Sequence, residues 1–378
     1  MRDQIATTKR WVIHIESRLI CAPDGLNQDA VQRLAAQLAT LHQRGIEVVV
    51  VSAGATSACA SEINAAPLPL HEAQALAAIG QIKLTNAWAK GLETQGLQSA
   101  QILLTQDDLS HRKHYLNARS TLQVLLKNGA IPVVSENGTV ASHGIRAGDT
   151  DSLGALVVNL VQADVYILLT ELEGFVTLGS GQPDILISEA AAGDSHLDRC
   201  AHDMTERFGV DVRSWLRSAR LAARSGAHTI IADGRKAGIL DAVASGTSVG
   251  TLLLSDTHPA ASRDRWLSNQ LPMRGALEII AGSYGEVSEA SGITALMILR
   301  VEGVFQRGDM VVCRGPDGAE LARGLVNYSS QEIQRLRGQF IEAFSRQIGY
   351  VAEPAIISHE NLVTYTAPED RRNGLTPP

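Results

Sequence analysis

The sequence predicts an α/β domain, an open and mostly parallel sheet with helices on both faces, followed by a small C-terminal β-barrel. Three observations lead there. Short apolar runs alternate with longer helix-like patterns through the first 255 residues. Those runs are continuously apolar rather than alternating, as expected for strands covered on both faces. From about residue 275 the pattern changes to short strand-like segments divided by glycines, which suits a small barrel.

The strands are predicted at 11–15, 46–52 (IEVVVVS), 99–104, 130–134 (AIPVV), 164–169 (DVYILL) and 228–232 (HTIIA). Helix patterns fill 27–44, 71–95, 114–128, 151–162 and 213–225. Strand-helix-strand repetition of this kind makes parallel pairing the expectation. Ligands in such sheets bind at the carboxyl ends of the strands. In the C-terminal part the strands are expected at 276–281, 296–301, 309–313 and 321–326, with one helix at 330–346. Asp317-Gly318 marks a hairpin, because glycine supplies the positive φ of a tight turn. The domains are therefore 9–256 and 275–365, joined by a linker at 257–274, with a disordered tail at 366–378.

The chain has 378 residues, 45% of them hydrophobic and 19% charged, which is an ordinary globular composition. A net charge of −7 argues against a general nucleic-acid binder. Cys21, Cys59, Cys200 and Cys313 form no CxxC pair, so free thiols in a reducing compartment are expected and no metal site. The N-terminus lacks the apolar core of a signal peptide, and no apolar run reaches the ~20 residues of a membrane span. A cytoplasmic protein with no membrane partner is expected.

The first strand ends in His14-Ile15-Glu16-Ser17-Arg18. A phosphate-holding turn at this place usually needs small residues and a positive charge. Here there is no glycine, and Glu16 stands where an anion would have to be welcomed.

Several stretches read together resemble the glutamate 5-kinase family. They are VVVVSAGATSA (48–58), LLTQDDLSHRKHYLNARSTL (103–122), PVVSENGTV (132–140), GDTDSLGALV (148–157), TIIADGRKAGIL (229–240) and SVGTLL (248–253). FQRGDMVVC, ARGLVNYSS and IGYVAEPAIISHENLV resemble the PUA domain that many bacterial members carry. The resemblance covers about residues 11 to 365. It implies an amino-acid-kinase fold, ATP and Mg²⁺, and transfer of the γ-phosphoryl group to the γ-carboxylate of glutamate, the first step of proline synthesis. Such chemistry rests on positioning and on neutralising charge around the phosphate oxygens.

The resemblance also implies where the site residues stand. The family's first-strand Lys-Leu-Gly-Ser/Thr matches His14-Ile15-Glu16-Ser17, so the phosphate lysine falls on His14. His14 would be only partly protonated near neutrality, and a half-buried strand histidine is an equal reading. Ser-Gly-Ala becomes Ala53-Gly54-Ala55, and the serine that would contact glutamate is gone. Asn-Glu-Asn-Asp becomes Ser135-Glu136-Asn137-Gly138, so the aspartate expected to pair with the substrate ammonium group is a glycine. Gly-Asp-Asn-Asp becomes Gly148-Asp149-Thr150-Asp151, with both aspartates kept. Asp151 is either an organiser of the site or an N-cap or first-turn residue of its helix. Thr-Asp becomes Thr170-Glu171. The glycine-rich nucleotide loop becomes FGVDVRSW (208–215), in which Gly209 remains, Asp211 adds a negative charge and the second site lysine falls on Trp215. Trp215 is expected to pack against a helix or a partner rather than on adenine.

Losing even one preorganised charge contact commonly costs ~3 kcal/mol of transition-state stabilisation. Several such losses together predict impaired or absent glutamate kinase activity. The alternatives are a non-catalytic scaffold or regulator that partners a true glutamate 5-kinase, an RNA-binding PUA protein, and a kinase for another acid. Against RNA binding, the arginines of the C-terminal domain are offset by acids. The stretch DLSHRKHYLNARSTL (108–122) is well kept, and because the resemblance places it near the subunit interface it favours a homo-oligomer.

Overall fold

The computed structural model describes residues 1–62, 69–141, 149–179, 183–255, 273–280 and 292–364. The expected linker at 257–274 lies almost wholly, and the tail at 366–378 entirely, outside the described residues. The chain divides into two compact units, Met1–Ser262 and Arg263–Pro378.

The first unit runs α1 (Arg2–Ile5), β1 (Arg10–Ile15), α2 (Ser17–Ile20), β2 (Cys21–Ala22), β3 (Gly25–Leu26), α3 (Gln28–Gln43), β4 (Glu47–Ser52), a 3-10 turn at Ser57–Glu62, α4 (Leu70–Glu93), β5 (Ser99–Leu104), α5 (Gln106–Ser110), α6 (Arg112–Lys127) and β6 (Ile131–Glu136). It continues with α7 (Asp149–Val161), β7 (Val165–Thr170), β8 (Val176–Thr177), β9 (Ile185–Leu186), β10 (Glu189–Ala191), α8 (His196–Phe208), α9 (Val212–Arg224), β11 (His228–Asp233), α10 (Ile239–Ala244) and β12 (Thr251–Leu254). The eight-stranded sheet has the order β10-β12-β11-β7-β1-β4-β6-β5. Its pairs are parallel except β11 with β12.

Each face of the sheet has its own core, because successive strand residues point to opposite faces. On one face Ile13 and Ile15 of β1 pack with Leu34 and Leu38 of α3 and Leu84 and Trp88 of α4. On the other, Val12, Val51 and Leu168 pack with Leu153 and Val157 of α7 and Trp215 and Ala219 of α9. His14 follows Val12 by two residues, and its register sets it beside Val51 and Leu168. It therefore faces α7 and α9. Every strand and helix expected in this unit is found within two residues of its expected ends. Short elements with no apolar run of their own, among them α2, the β2–β3 and β8–β9 hairpins and α5, carry no pattern that the sequence reading could use.

The second unit holds a mixed five-stranded sheet: β13 (Met273–Ile279), β14 (Ile298–Gly303), β15 (Met310–Arg314), β16 (Glu320–Leu325) and β17 (Leu362–Thr364), in the order β14-β13-β15-β16-β17. Asp317-Gly318 makes the β15–β16 turn as expected, with Gly318 at φ +80° and Asp317 Oδ1 accepting the Ala319 N–H at 3.0 Å. The single helix expected at 330–346 is two helices, Ser330–Leu336 and Phe344–Ile348. Gly338 takes φ +71° between them, and its N–H is drawn off to the Ala295 carbonyl at 2.9 Å. Leu336 and Phe344 both reach the core from either side of that break.

Candidate functional site

His14 is fully buried. Its Nδ1 lies 3.1 Å from the Tyr166 hydroxyl and 3.3 Å from Asp151 Oδ1. The Tyr166 hydroxyl also lies 3.3 Å from the Asp151 carbonyl and meets the Ser218 side chain. His14 Nε2 is buried with no hydrogen-bond partner among the described residues. Burial holds the imidazole pKa below its ordinary value, although the nearby Asp151 pulls it up. At neutral pH His14 is an uncharged group, not a substitute for a lysine.

Asp151 sits in the first turn of α7, which begins two residues earlier at Asp149, so it is a first-turn residue and not the N-cap. Its second carboxylate oxygen takes a short hydrogen bond from the Ser214 hydroxyl. Ser214 belongs to the first turn of α9, whose N-cap is Asp211: Asp211 Oδ1 accepts the Ser214 N–H at 3.2 Å. The charge of Asp211 is further shared with Arg217 at 3.3 Å and Arg213 at 3.9 Å. Gly209, expected at the nucleotide, ends α8 in the left-handed conformation at φ +65°. Segment 208–215 is thus a helix stop followed by a capped helix start.

Trp215 does not present its ring to an open site. It is 1% exposed, and its indole N–H donates to Glu16 Oε1 at 2.7 Å. Glu16 lies just past β1, on the side of the sheet that His14 faces, with its own N–H on the Leu169 carbonyl at 3.2 Å. Burial first, and then the charge of Asp151, push the Glu16 carboxyl up to about 8, while the indole bond and Arg18 oppose the shift. At neutral pH Glu16 is mainly protonated.

The other end of the site is small. The Ala53 N–H donates to the Ile15 carbonyl at 3.1 Å. Gly54 needs its glycine: φ is +112°, and a Cβ would meet Cys21 Sγ at 3.2 Å. At Gly138 a Cβ would stand 2.8 Å from the Ala77 Cβ on α4, so the loop as it lies here has no room for a side chain at this position. The side chains of Asp149 and Thr150 lie outside those described. The Thr170 hydroxyl is used within its own turn, accepting the Leu172 N–H at 2.9 Å. Glu171 faces Arg18 at 3.9 Å, and its carbonyl accepts from Arg235.

The structure therefore brings together His14, Asp151, Glu16 and Trp215. Ala53 and Gly54 follow β4 and Gly138 follows β6, in the neighbouring loops at the same edge of the sheet. Thr170 and Gly209 are engaged in local backbone roles. Sequence reasoning missed Tyr166, hidden in the apolar run of β7, and Ser214, whose reach to Asp151 depends on where α9 starts.

Family models match twice: the Amino acid kinase family at residues 9–233 and the PUA domain at 275–346. Glutamate 5-kinases from Pseudomonas paraeruginosa, Pseudomonas aeruginosa and Pseudomonas syringae pv. tomato are each 44% identical over 370 residues, spanning 96% of this chain and 100% of each relative. The chain belongs to the glutamate 5-kinase family. Among solved structures, UMP kinase from Bacillus anthracis matches with TM-score 0.47 and 15% identity, over 66% of this chain and 97% of that one.

At this corner stand the carboxyls of Glu16 and Asp151, the neutral His14 imidazole and the Trp215 indole, none of them a cation of the kind a magnesium triphosphate calls for. The cations around this corner already lie beside acids: Arg18 with Glu171, Arg213 and Arg217 with Asp211, Arg235 with Asp233. Phosphate oxygens brought here would meet Asp151 without a neutralising charge.

Proposed function

We propose that this chain is a glutamate 5-kinase scaffold that does not efficiently phosphorylate the γ-carboxylate of glutamate, and that it serves proline synthesis as a non-catalytic partner or regulator. One observation carries the reading: the phosphate corner is filled by its own side chains, with Trp215 bonded to Glu16 and Ser214 bonded to Asp151. The amino-acid end supports it. The hydroxyl and the carboxylate that would grip glutamate are the methyl of Ala53 and the hydrogen of Gly138. ATP and Mg²⁺ are the family's reactants, and the residues here offer them little. Pairing with further subunits, of its own kind or of a true glutamate 5-kinase, is part of the proposal. It is supported by β5, an edge strand of the sheet with a half-exposed Leu103, and by the exposed Ile79 and Ile82 of the neighbouring α4.

The test is acyl phosphate formation from ATP and glutamate, trapped with hydroxylamine, using the full chain made in a host that lacks its own glutamate 5-kinase. No hydroxamate from a folded protein is expected. Steady formation that is lost in Asp151→Ala would overturn the reading.

A further inference from the structure

The segment that opens α9 makes three separate attachments within five residues. Asp211 caps the helix, Ser214 reaches Asp151 on α7, and Trp215 reaches Glu16 beyond β1. The last contact joins residues 199 positions apart in the chain. It is made at the family's phosphate position, by the two residues that replace the turn glycine and the second lysine. An indole N–H has one acceptor to find when buried, and Glu16 is the residue it finds. The carboxyl in turn has its position fixed by a donor that carries no charge.

We propose that the Glu16–Trp215 pair is a built-in plug: it occupies the phosphate position and bolts α9 to the end of β1, so that the site is closed in the absence of any ligand. The proposal rests on the reading of this site as an inactive kinase site, and it adds the cause and a reversal. In this chain a hydrogen bond within the protein joins the turn after β1 to the start of α9. Opening the plug and restoring cations should therefore return anion affinity to the corner.

The experiment uses the full chain, with Mg·ATP as the probe and thermal unfolding and calorimetric titration as readouts. Wild type is expected to show no Mg·ATP-dependent rise in Tm. The variant His14→Lys/Glu16→Gly/Trp215→Lys is expected to bind Mg·ATP at least about tenfold more tightly than wild type and to rise in Tm with nucleotide. Wild type binding Mg·ATP as tightly as the triple variant would overturn the plug, and so would a folded triple variant with no gain. A second arm remains informative if the triple variant does not fold. Glu16→Ala, Trp215→Phe and the double variant are compared by urea unfolding, and the double variant should lose clearly less than the sum of the two single losses. Additive losses would show that the residues are neighbours and not a bolt. The hydroxylamine assay on wild type separates the two readings. A silent assay with additive losses removes the plug and keeps the inactive scaffold. An active wild type removes both.

Discussion

Set against the family pattern, the two ends of the site differ in opposite directions. At the end where the resemblance puts the phosphates, with a glycine and a lysine, this chain is filled by Glu16 and Trp215. At the amino-acid end side chains have gone, leaving Ala53 and Gly138. The filled end gains contacts within the protein, and these hold β1, α7 and α9 together. At the emptied end α4 leaves no room for a side chain, since a Cβ at Gly138 would stand 2.8 Å from the Ala77 Cβ. A site can thus depart from its family's pattern in two physically different ways, and the two respond to opposite perturbations. Removal should hurt the filled end, and addition should hurt the emptied one.

The strongest test of that contrast is Trp215→Ala. It removes a large side chain that is 1% exposed and leaves a cavity between α9 and the sheet. A loss of about 3–5 kcal/mol in unfolding free energy is expected, read by urea denaturation. A loss well under 1 kcal/mol would mean that the corner is open in solution. Ser214→Ala comes next. It deprives the buried Asp151 carboxylate of its hydroxyl donor, and about 1–3 kcal/mol should go. At the emptied end the damaging change is an addition. Gly138→Asp, which restores the family's residue, should cost about 1–3 kcal/mol because its Cβ meets Ala77. Pairing it with Ala77→Gly should recover most of the loss.

Glu16→Gln has a smaller effect that depends on pH. The folded carboxyl titrates at about 8 and the unfolded one near 4.5. The folded state therefore holds a proton that the unfolded state has released between those values. Stability from the neutral carboxyl is fully present below pH 4.5 and is lost as pH rises to about 8. Glutamine keeps the acceptor for the indole and has no proton to lose. Its Tm should exceed that of wild type by more at pH 8 than at pH 5, and parallel profiles would contradict the assignment. His14 acts at the other side of neutrality. Its lowered pKa makes the fold lose stability as pH falls below the ordinary histidine value. Smallest of all should be Ala53→Ser, a change within ±0.5 kcal/mol, because nothing at that end has grown to depend on the missing hydroxyl.

Six strands of the sheet and the helices α3, α4, α6, α7 and α9 were legible because each rests on an apolar run of several residues, whereas β10, β12 and the helix α8 were not read. The β15–β16 turn was legible from two residues, because Asp317-Gly318 requires a particular backbone. The site could be read in the sequence only as a set of departures from the pattern of the resemblance. That a lysine is absent at position 14 can be read from the sequence. That His14 is buried against Tyr166 cannot, since the strand period places its side chain on one face without saying which helix residue waits there. Trp215 is buried, in keeping with the packing role expected of it. Its acceptor, 199 positions away, depends on how α9 lies across β1. Gly209 ends α8, a role that the sequence reading did not give it, because a glycine of a phosphate loop looks the same in sequence as one that ends a helix.

The most direct measurement is the indole region of an ¹⁵N spectrum of the full chain, which holds four tryptophans. The Trp215 resonance is assigned by its loss in Trp215→Phe, and Mg·ATP and glutamate are then added. The predicted result is a Trp215 N–H protected from solvent exchange and unmoved by either reactant. A Trp215 resonance that exchanges freely, or shifts saturably with Mg·ATP, would show that the corner opens to a triphosphate and would contradict the closed site.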